Sequence, residues 1–170
     1  MKIAHWSLIN KSGMNNVADS IVKAEKAIGI DSNLCDINNP SLWPSMYDCD
    51  VHVSHTHIPD AIYKKVTKPL KTVWIGHGTP EHVFQSAVEA STHGYGHGDS
   101  WMLIMQWMRT ANAIVTFWDR HKDIYKSMCD KNTIVSCLPL GLDKEFWHPV
   151  TSRGKYAGDP SVYRPKTSII

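Results

Sequence analysis

The sequence lacks the features that mark three common classes of protein. No segment approaches the roughly 20 consecutive apolar residues that a membrane-spanning helix needs. Lys and Arg total 18 against 16 Asp and Glu, so the net charge of +2 provides none of the basic surplus that nucleic-acid-binding proteins carry. The opening stretch MKIAHWSLINKSG has no sustained apolar segment and no small-residue cleavage site. We therefore expect no transmembrane segment, no nucleic-acid partner and no secretory leader.

Closely spaced cysteine pairs are also missing. The four cysteines never form a C-x-x-C pair, and a chain of 170 residues is large enough to fold without disulfide staples. We interpret these thiols as reduced, which predicts a cytoplasmic protein. The hydrophobic content of 42% and the charged content of 20% are ordinary for a globular domain.

What is present is an alternation of strand-like and helix-like segments, in which we expect NNPSLWPSMYDC to be a loop and IPDAIYKKVTKP to be a short helix. The clearest helix spans 15–28, because its apolar residues recur at helical spacing and Gly29 provides a stop. These apolar residues are Val17, Ile21, Ala24, Ala27 and Ile28. The apolar runs at 51–54, 72–75, 113–117 and 133–137 lack polar alternation, which is typical of strands buried on both faces. The pattern predicts an α/β fold with a Rossmann-like, doubly wound parallel sheet.

A histidine between two glycines follows the predicted strand at 72–75. In a doubly wound sheet, ligands bind outside the carboxyl ends of the strands. His77 lies at such an end, and Gly76 and Gly78 would let the backbone turn sharply and a ligand approach closely. Thr79 and Glu81 would then lie on the rim of the crevice. The alternative is that His77 only caps a loop carbonyl.

A second small-residue turn follows the first predicted strand. Ser12 and Gly13 occupy this turn, where small residues let a phosphate or a sugar reach the backbone. The full G-x-G-x-x-G fingerprint of dinucleotide sites is absent, so a dinucleotide cofactor is not indicated. By itself, the segment KSGMNN is a weak signal and is more often only a turn.

The segment HVSHTHIPD places His52, His55 and His57 within a short distance of one another. Alternate residues of an extended segment face the same way, and neutral imidazoles bind zinc. The H-x-H pattern is therefore a candidate metal site. However, the H-x-H-x-D-H pattern of hydrolases is broken by Pro59, with Asp60 one place late. We prefer loop histidines on a crevice rim, with no metal and no cofactor. A metal-dependent hydrolase that uses His55 and His57 remains the less favoured alternative.

Five segments occur in an order that resembles the N-terminal half of a retaining GT-B glycosyltransferase of the family-four type. They are SGMNNVADSIVKAEKAIGIDS, DVHVSHTHIPDAI, KTVWIGHGTPE, ANAIVTFWDRHKDIY and TIVSCLPLGLDKEFWHPV. The most specific is PLGLDKEFWHP, which is similar to the family's Pro-x-Gly-x-Asp followed by Phe and Pro. On this resemblance, 1–149 is the Rossmann-like domain, and 150–170 is a linker and the start of a missing donor-binding domain.

The resemblance implies two domains that face a cleft, the first holding the acceptor and the second the nucleotide-sugar donor. Sugar would pass to an acceptor hydroxyl with retention, typically without metal. His77 matches the family's cleft histidine near the donor sugar, where it would position the sugar and stabilise charge on the departing group. Ser12 and Gly13 match a loop near the donor phosphates where the family usually has Gly-Gly, so Ser12 departs from the pattern.

The resemblance also sets expectations about partners. Residues 150–170 are too few for the donor-binding domain, so we expect the nucleotide site to be absent and the chain to be inactive without that half. A stand-alone glycan- or nucleotide-binding module without catalysis is the alternative. Because an isolated half exposes the face meant for its partner domain, we also expect a homodimer.

Overall fold

The computed structural model describes residues 1–9, 13–77 and 108–139. These residues form six strands and three α-helices. The strands are β1 (Lys2–Ser7), β2 (Asp31–Asp36), β3 (Val51–Ser54), β4 (Thr72–Gly76), β5 (Ala113–Thr116) and β6 (Ile134–Cys137). The helices are α1 (Gly13–Ala27), α2 (Asp60–Tyr63) and α3 (Asp119–Met128). Residues 108–110, just before β5, are also helical.

The six strands make one parallel sheet in the order β2-β1-β3-β4-β5-β6. This arrangement confirms the predicted α/β fold with a Rossmann-like parallel sheet. The chain first moves from β1 to β2 on one side and then to β3 on the other side of β1. Such a reversal opens a crevice between the carboxyl ends of the two diverging strands, here β1 and β3.

Helices cover both faces of the sheet. Helix α1 lies on the face that carries Ile3 and His5, since Glu25 of α1 bonds to the His5 ring. The opposite face carries Trp6 and Trp74, which the register of β1, β3 and β4 places on the same side. Helix α2 packs there against Trp6, and α3 packs there against Trp74. The doubly wound arrangement follows from these two directions of packing.

Helix α1 is close to the predicted helix, but it buries a different stripe. Its fully buried residues are Ala18 and Val22, whereas Ala24, Ala27 and Ile28 of the predicted stripe are exposed. Gly29 ends the helix as predicted, with a φ of 83° in the left-handed region. The Gly29 N–H donates to the Lys26 carbonyl, and the Ile30 N–H donates to the Glu25 carbonyl, each at 3.0 Å. These two bonds make a Schellman end, which fixes the last turn and the backbone of Glu25.

Two connections differ from the sequence-based expectations. The segment NNPSLWPSMYDC, predicted as a loop, contains a 3-10 helix at Pro40–Met46 that begins with a proline. The Trp43 indole N–H donates to the Asp36 carbonyl at 3.1 Å, and Met46 is buried, so tertiary contacts hold this short helix in place. Helix α2 is a single turn, much shorter than the predicted helix. The predicted domain boundary at 149 lies outside the described residues.

The described residues contain no helix with the length and apolarity that crossing a membrane requires. All four cysteines are free thiols. Burial raises the pKa of the Cys35 and Cys49 thiols to about 11, so both stay protonated at neutral pH. Protonated thiols are poor nucleophiles, and these two serve as core residues.

Candidate functional site

Three histidines form a hydrogen-bonded row that crosses the sheet and ends on a carboxylate. Glu25 Oε2 lies 2.8 Å from His5 Nε2, and His5 Nδ1 lies 2.9 Å from His55 Nε2. His55 Nδ1 in turn lies 2.8 Å from His77 Nε2. We call His5, His55 and His77 the histidine row. Every internal contact joins one ring nitrogen directly to another.

The register of the parallel sheet explains why residues so far apart in sequence meet. His5 lies in β1 and pairs with Val53 of β3, so their side chains share a face. His55 is two residues after Val53, and its N–H donates to the Trp6 carbonyl at 2.9 Å, which extends the pairing beyond β3. His77 follows β4 two residues after Ile75, which also belongs to this face. The row therefore steps across three adjacent strands at their carboxyl ends.

Burial keeps the imidazoles of the row uncharged. His5 is 1% exposed and His55 is 3% exposed. Burial lowers the pKa of His55 to about 2, with positive charge on His5 or His77 as a further cause, and burial lowers the pKa of His77 to about 4. The pKa of His5 is also lowered by burial, against the opposing attraction of Glu25. At neutral pH all three rings are neutral.

Neutral rings leave one consistent placement of the protons. The Glu25 carboxylate can only accept, so His5 donates through Nε2–H and its Nδ1 accepts from His55 Nε2–H. His55 Nδ1 then accepts from His77 Nε2–H. Each ring has used its single N–H, and His77 Nδ1 carries a lone pair. No hydrogen bond within the described part of the chain engages that nitrogen. The row thus presents an uncharged hydrogen-bond acceptor at the edge of the sheet.

An aromatic ring stands beside this acceptor. The His77 ring packs against Phe117 with centroids 5.6 Å apart and planes at 64°, an edge-to-face contact. Phe117 follows β5 directly, so the two rings come from adjacent strand ends. His77 is only partly buried, unlike His5 and His55. A ligand at this edge would meet one polar atom next to an apolar surface.

The structure gives the two described glycines of the predicted site different surroundings. Gly76 is buried in β4, and a Cβ there would lie 3.0 Å from Tyr125 Oη and 3.1 Å from Trp74 Cζ3. Both aromatic rings lie on the face opposite His77, so glycine at 76 makes room for core packing. Gly13 is exposed at the start of α1, and a Cβ there would meet nothing within 4 Å. The remaining predicted site residues lie outside the described residues: Ser12, Gly78, Thr79 and Glu81.

The histidines that are adjacent in sequence separate in the structure. His52 lies on the opposite face from His55, and its Nδ1 accepts from the Trp6 indole N–H at 3.1 Å. Both ring nitrogens of His55 are engaged by His5 and His77, so a metal site on His55 and His57 would have to break the row. Among the described residues, no group of three or more His, Cys, Asp or Glu side chains is placed to hold a metal ion. The hydrolase alternative would therefore require His55 to give up its bond to His5 or to His77.

His5 and Glu25 were missed by sequence reasoning, although both carry a signal. His5 is a polar residue inside an otherwise apolar strand segment, at the alternation that faces the helix. Glu25 follows Ala18 and Val22 at the i+7 and i+3 positions, so it is an acidic residue on the buried stripe of α1. Knowing which stripe of α1 is buried would have indicated that Glu25 faces the sheet.

Similarity to known proteins does not assign the site. Comparisons with protein-family models, with curated proteins and with solved structures found no match. The resemblance to glycosyltransferases therefore rests on the sequence motifs, and the function is argued from the histidine row.

Proposed function

We propose that this chain is the acceptor-side domain of a nucleotide-sugar-dependent, retaining GT-B glycosyltransferase. It would take part in transfer of a sugar to an acceptor hydroxyl, together with a donor-binding half. The observation that carries the proposal is the uncharged lone pair on His77 Nδ1, held at the carboxyl edge of the sheet by the histidine row. The resemblance of the sequence motifs to this family implies that the same residue is the cleft histidine.

A fixed, uncharged acceptor suits a sugar. Sugars offer many hydroxyl donors and apolar C–H faces, and a typical sugar hydroxyl carries no charge. His77 Nδ1 can accept from one hydroxyl, while the Phe117 ring beside it offers an apolar surface to the C–H face. His55 fixes which nitrogen points outward, so the orientation of the bound hydroxyl is set before binding.

The tautomer narrows the role that we propose for His77. Stabilising negative charge on a departing phosphate requires an N–H or a cation at the cleft. The row presents a lone pair instead, with burial holding the pKa of His77 down at about 4. Positioning a sugar hydroxyl is therefore the part of the expected role that His77 can perform in this protonation state.

The position of the row in the sheet supports a binding role. The strand order reverses between β1 and β3, and ligands of open α/β sheets bind outside the carboxyl ends at that point. The bond between His5 and His55 spans this reversal, because His5 belongs to β1 and His55 follows β3. Donor and acceptor must be held at the right distance and orientation for transfer, and a preorganised binding surface on the acceptor side helps to hold them there.

Sugar binding can be tested on the chain as it is. We would label the chain uniformly with ¹⁵N and titrate the protein with uncharged monosaccharides, with UDP and GDP, and with UDP-glucose and GDP-mannose. We expect a sugar-bearing ligand to shift the His77 ring resonances and the Gly76 amide. The variant His77→Phe should lose this response, whereas His52→Phe, which removes a buried histidine on the other face, should keep it.

Two outcomes would contradict the proposal. One is that none of these ligands shifts His77, so that the edge of the sheet binds no sugar. The other is robust sugar transfer by the purified chain alone, which would show that no donor-binding half is needed. Binding that stays unproductive after a donor-binding half is supplied would favour the stand-alone binding module. In a reconstituted enzyme, unchanged turnover of His77→Ala would remove His77 from the mechanism.

A further inference from the structure

We propose that Glu25 and the histidine row form a proton relay between the edge of the sheet and helix α1. A proton taken up at His77 Nδ1 would release a different proton onto Glu25, with all three imidazoles neutral before and after. The proposal goes beyond the proposed function, because it concerns the row itself and applies to whichever proton-donating ligand the edge binds.

The relay balances proton by proton. A ligand O–H gives its proton to His77 Nδ1, and His77 passes its Nε2 proton to His55 Nδ1. His55 passes its Nε2 proton to His5 Nδ1, and His5 passes its Nε2 proton to Glu25 Oε2. The ligand oxygen keeps the electron pair of the broken O–H bond, and Glu25 becomes a neutral carboxylic acid. No metal, oxidant or additional base enters the step.

Both end states satisfy every bond of the row. In the first state each ring carries its proton on Nε2 and Glu25 is a carboxylate. In the second state each ring carries its proton on Nδ1, and the Glu25 carboxyl group donates to His5 Nε2. The N···N and N···O distances of 2.8–2.9 Å allow a hydrogen bond in either direction. The row is therefore a two-state element whose states differ by one proton.

The middle of the row is shielded from solvent, whereas its two ends are accessible. His5 and His55 are almost fully buried, so they exchange protons only with their ring neighbours. The Glu25 side chain is 21% exposed and His77 is partly buried, so water or a ligand can reach each end. The buried positions disfavour an imidazolium, which drives the proton through to the carboxylate.

Few other polar groups share this face of the sheet. The register places Ser7, Ser32 and Asp36 there from β1 and β2 and Ser136 there from β6, and the other described strand positions on this face are apolar apart from the row. Asp36 accepts the Asn38 backbone N–H at 3.0 Å and has no bond to the row. It therefore offers a matched control, because it is a carboxylate on the same face outside the proposed relay.

The state of the relay can be measured from the tautomers of the rings. Two-bond ¹H–¹⁵N correlation spectra of the ¹⁵N-histidine-labelled chain report which ring nitrogen carries the proton. We expect Nε2–H on all three rings at neutral pH, and one joint inversion to Nδ1–H as the solution is acidified. The Glu25 carboxyl ¹³C resonance should move with the same midpoint.

Two other buried histidines provide references within the same spectra. His52 must keep its proton on Nε2, because its Nδ1 accepts from Trp6. In the neutral His121 ring the proton lies on Nδ1, because the Arg120 Nε–H donates to His121 Nε2 at 3.2 Å. These opposite tautomers give reference spectra for the two states of the row.

Variants identify the end of the relay. Glu25→Gln can still hydrogen-bond to His5 but cannot take up a proton, so the joint inversion should disappear, while Asp36→Asn should leave it unchanged. The relay is overturned if the three rings titrate separately to imidazolium, if Glu25→Gln inverts at the wild-type midpoint, or if Asp36→Asn abolishes the inversion as well. Should Glu25→Gln fail to fold, the wild-type carboxyl ¹³C titration decides alone: a midpoint different from that of the ring inversion overturns the proposal. None of these measurements requires a sugar, so the relay and the proposed function can fail independently.

Discussion

The two faces of the sheet bury aromatic rings in different ways. On the face of α1, the histidine row pairs ring to ring and ends on Glu25. On the opposite face, tryptophan and tyrosine rings fill the core, and His52 has one bonded nitrogen and one buried nitrogen without a partner among the described residues. The difference separates a buried histidine with a single partner from buried histidines that are joined in a continuous chain of partners. Changes in charge or hydrogen bonding should therefore alter stability through the α1 face, whereas changes in side-chain volume should alter it through the other face.

Acid should have the largest effect, because it acts on several buried histidines at once. The pKa of His55 is lowered to about 2 from the usual 6.5, so the unfolded chain binds a proton that the folded chain refuses. Stability is therefore fully present above pH 6.5 and is lost as the pH falls below it. Each such ring contributes a slope of about 1.4 kcal/mol per pH unit. Urea unfolding at several pH values between 7 and 5 measures the slope.

A histidine variant on the face opposite α1 tests the size of this pH dependence of stability. The pKa of His52 is lowered to about 4 by burial, so His52→Phe should reduce the slope by about 1.4 kcal/mol per pH unit. An unchanged slope would mean that His52 is not held neutral in the folded chain. Uptake of one proton by the relay in the folded chain would also lower the slope of the wild-type unfolding free energy against pH. Glu25→Gln would then restore that slope.

Truncation of Trp6 should have the next largest effect. Trp6 is fully buried and belongs to the core cluster that contains Ala4 and Ile62. Trp6→Ala removes a large ring and its packing, for which we expect a loss of about 3–5 kcal/mol in the free energy of unfolding. Chemical denaturation measures it, and Trp6→Phe should cost less. A loss below about 1 kcal/mol would contradict the view that this face depends on volume.

Substitution of His55 tests the dependence of the α1 face on hydrogen bonds. His55→Leu keeps an apolar side chain of similar size, but it leaves His5 Nδ1 and His77 Nε2 without their partner. Each unpaired buried group costs about 1–3 kcal/mol, and His77 is only partly buried, so we expect a loss of about 2–4 kcal/mol. His55→Gln, which keeps one donor and one acceptor, should recover part of it. Equal stability of the leucine variant and the wild type would show that the row is not structurally required.

The two glycines should give the smallest effects, and unequal ones. Gly76→Ala places a Cβ 3.0 Å from Tyr125 Oη and 3.1 Å from Trp74 Cζ3, so the aromatic face must shift, at about 1–3 kcal/mol. Gly13→Ala meets open space at the start of α1 and should change stability by at most about 0.5 kcal/mol. Thermal unfolding of the two single variants compares them directly. A larger loss for Gly13→Ala than for Gly76→Ala would reverse this assignment.

The sequence predicted the sheet well because parallel strands are local apolar runs. β3, β4, β5 and β6 each overlap a predicted strand, with bounds that differ by at most one residue. The 3-10 helix at Pro40–Met46 was missed, because its proline-containing segment has no helical period and tertiary contacts hold it in place. Propensity alone carries no information about such contacts.

The candidate site was predicted only in part. The position of His77 at a strand end follows from the strand pattern, so sequence reasoning could reach it. The pairing of His5 with His55 depends on the strand order and register, which single-sequence patterns do not contain. The sequence suggested instead that His55 and His57 belong together, since H-x-H is visible without the fold. The structure brings His55 to residues 50 positions before and 22 positions after it.

The chain of ring-to-ring bonds also constrains how this protein can change during evolution. Loss of any one histidine leaves a neighbouring ring nitrogen buried without a partner, and loss of Glu25 removes the end that fixes the tautomers. A single substitution is therefore penalised until a second one compensates it. Homologous sequences should keep Glu25, His5, His55 and His77 together or replace them together, as one inherited unit spread over a helix and three strand ends.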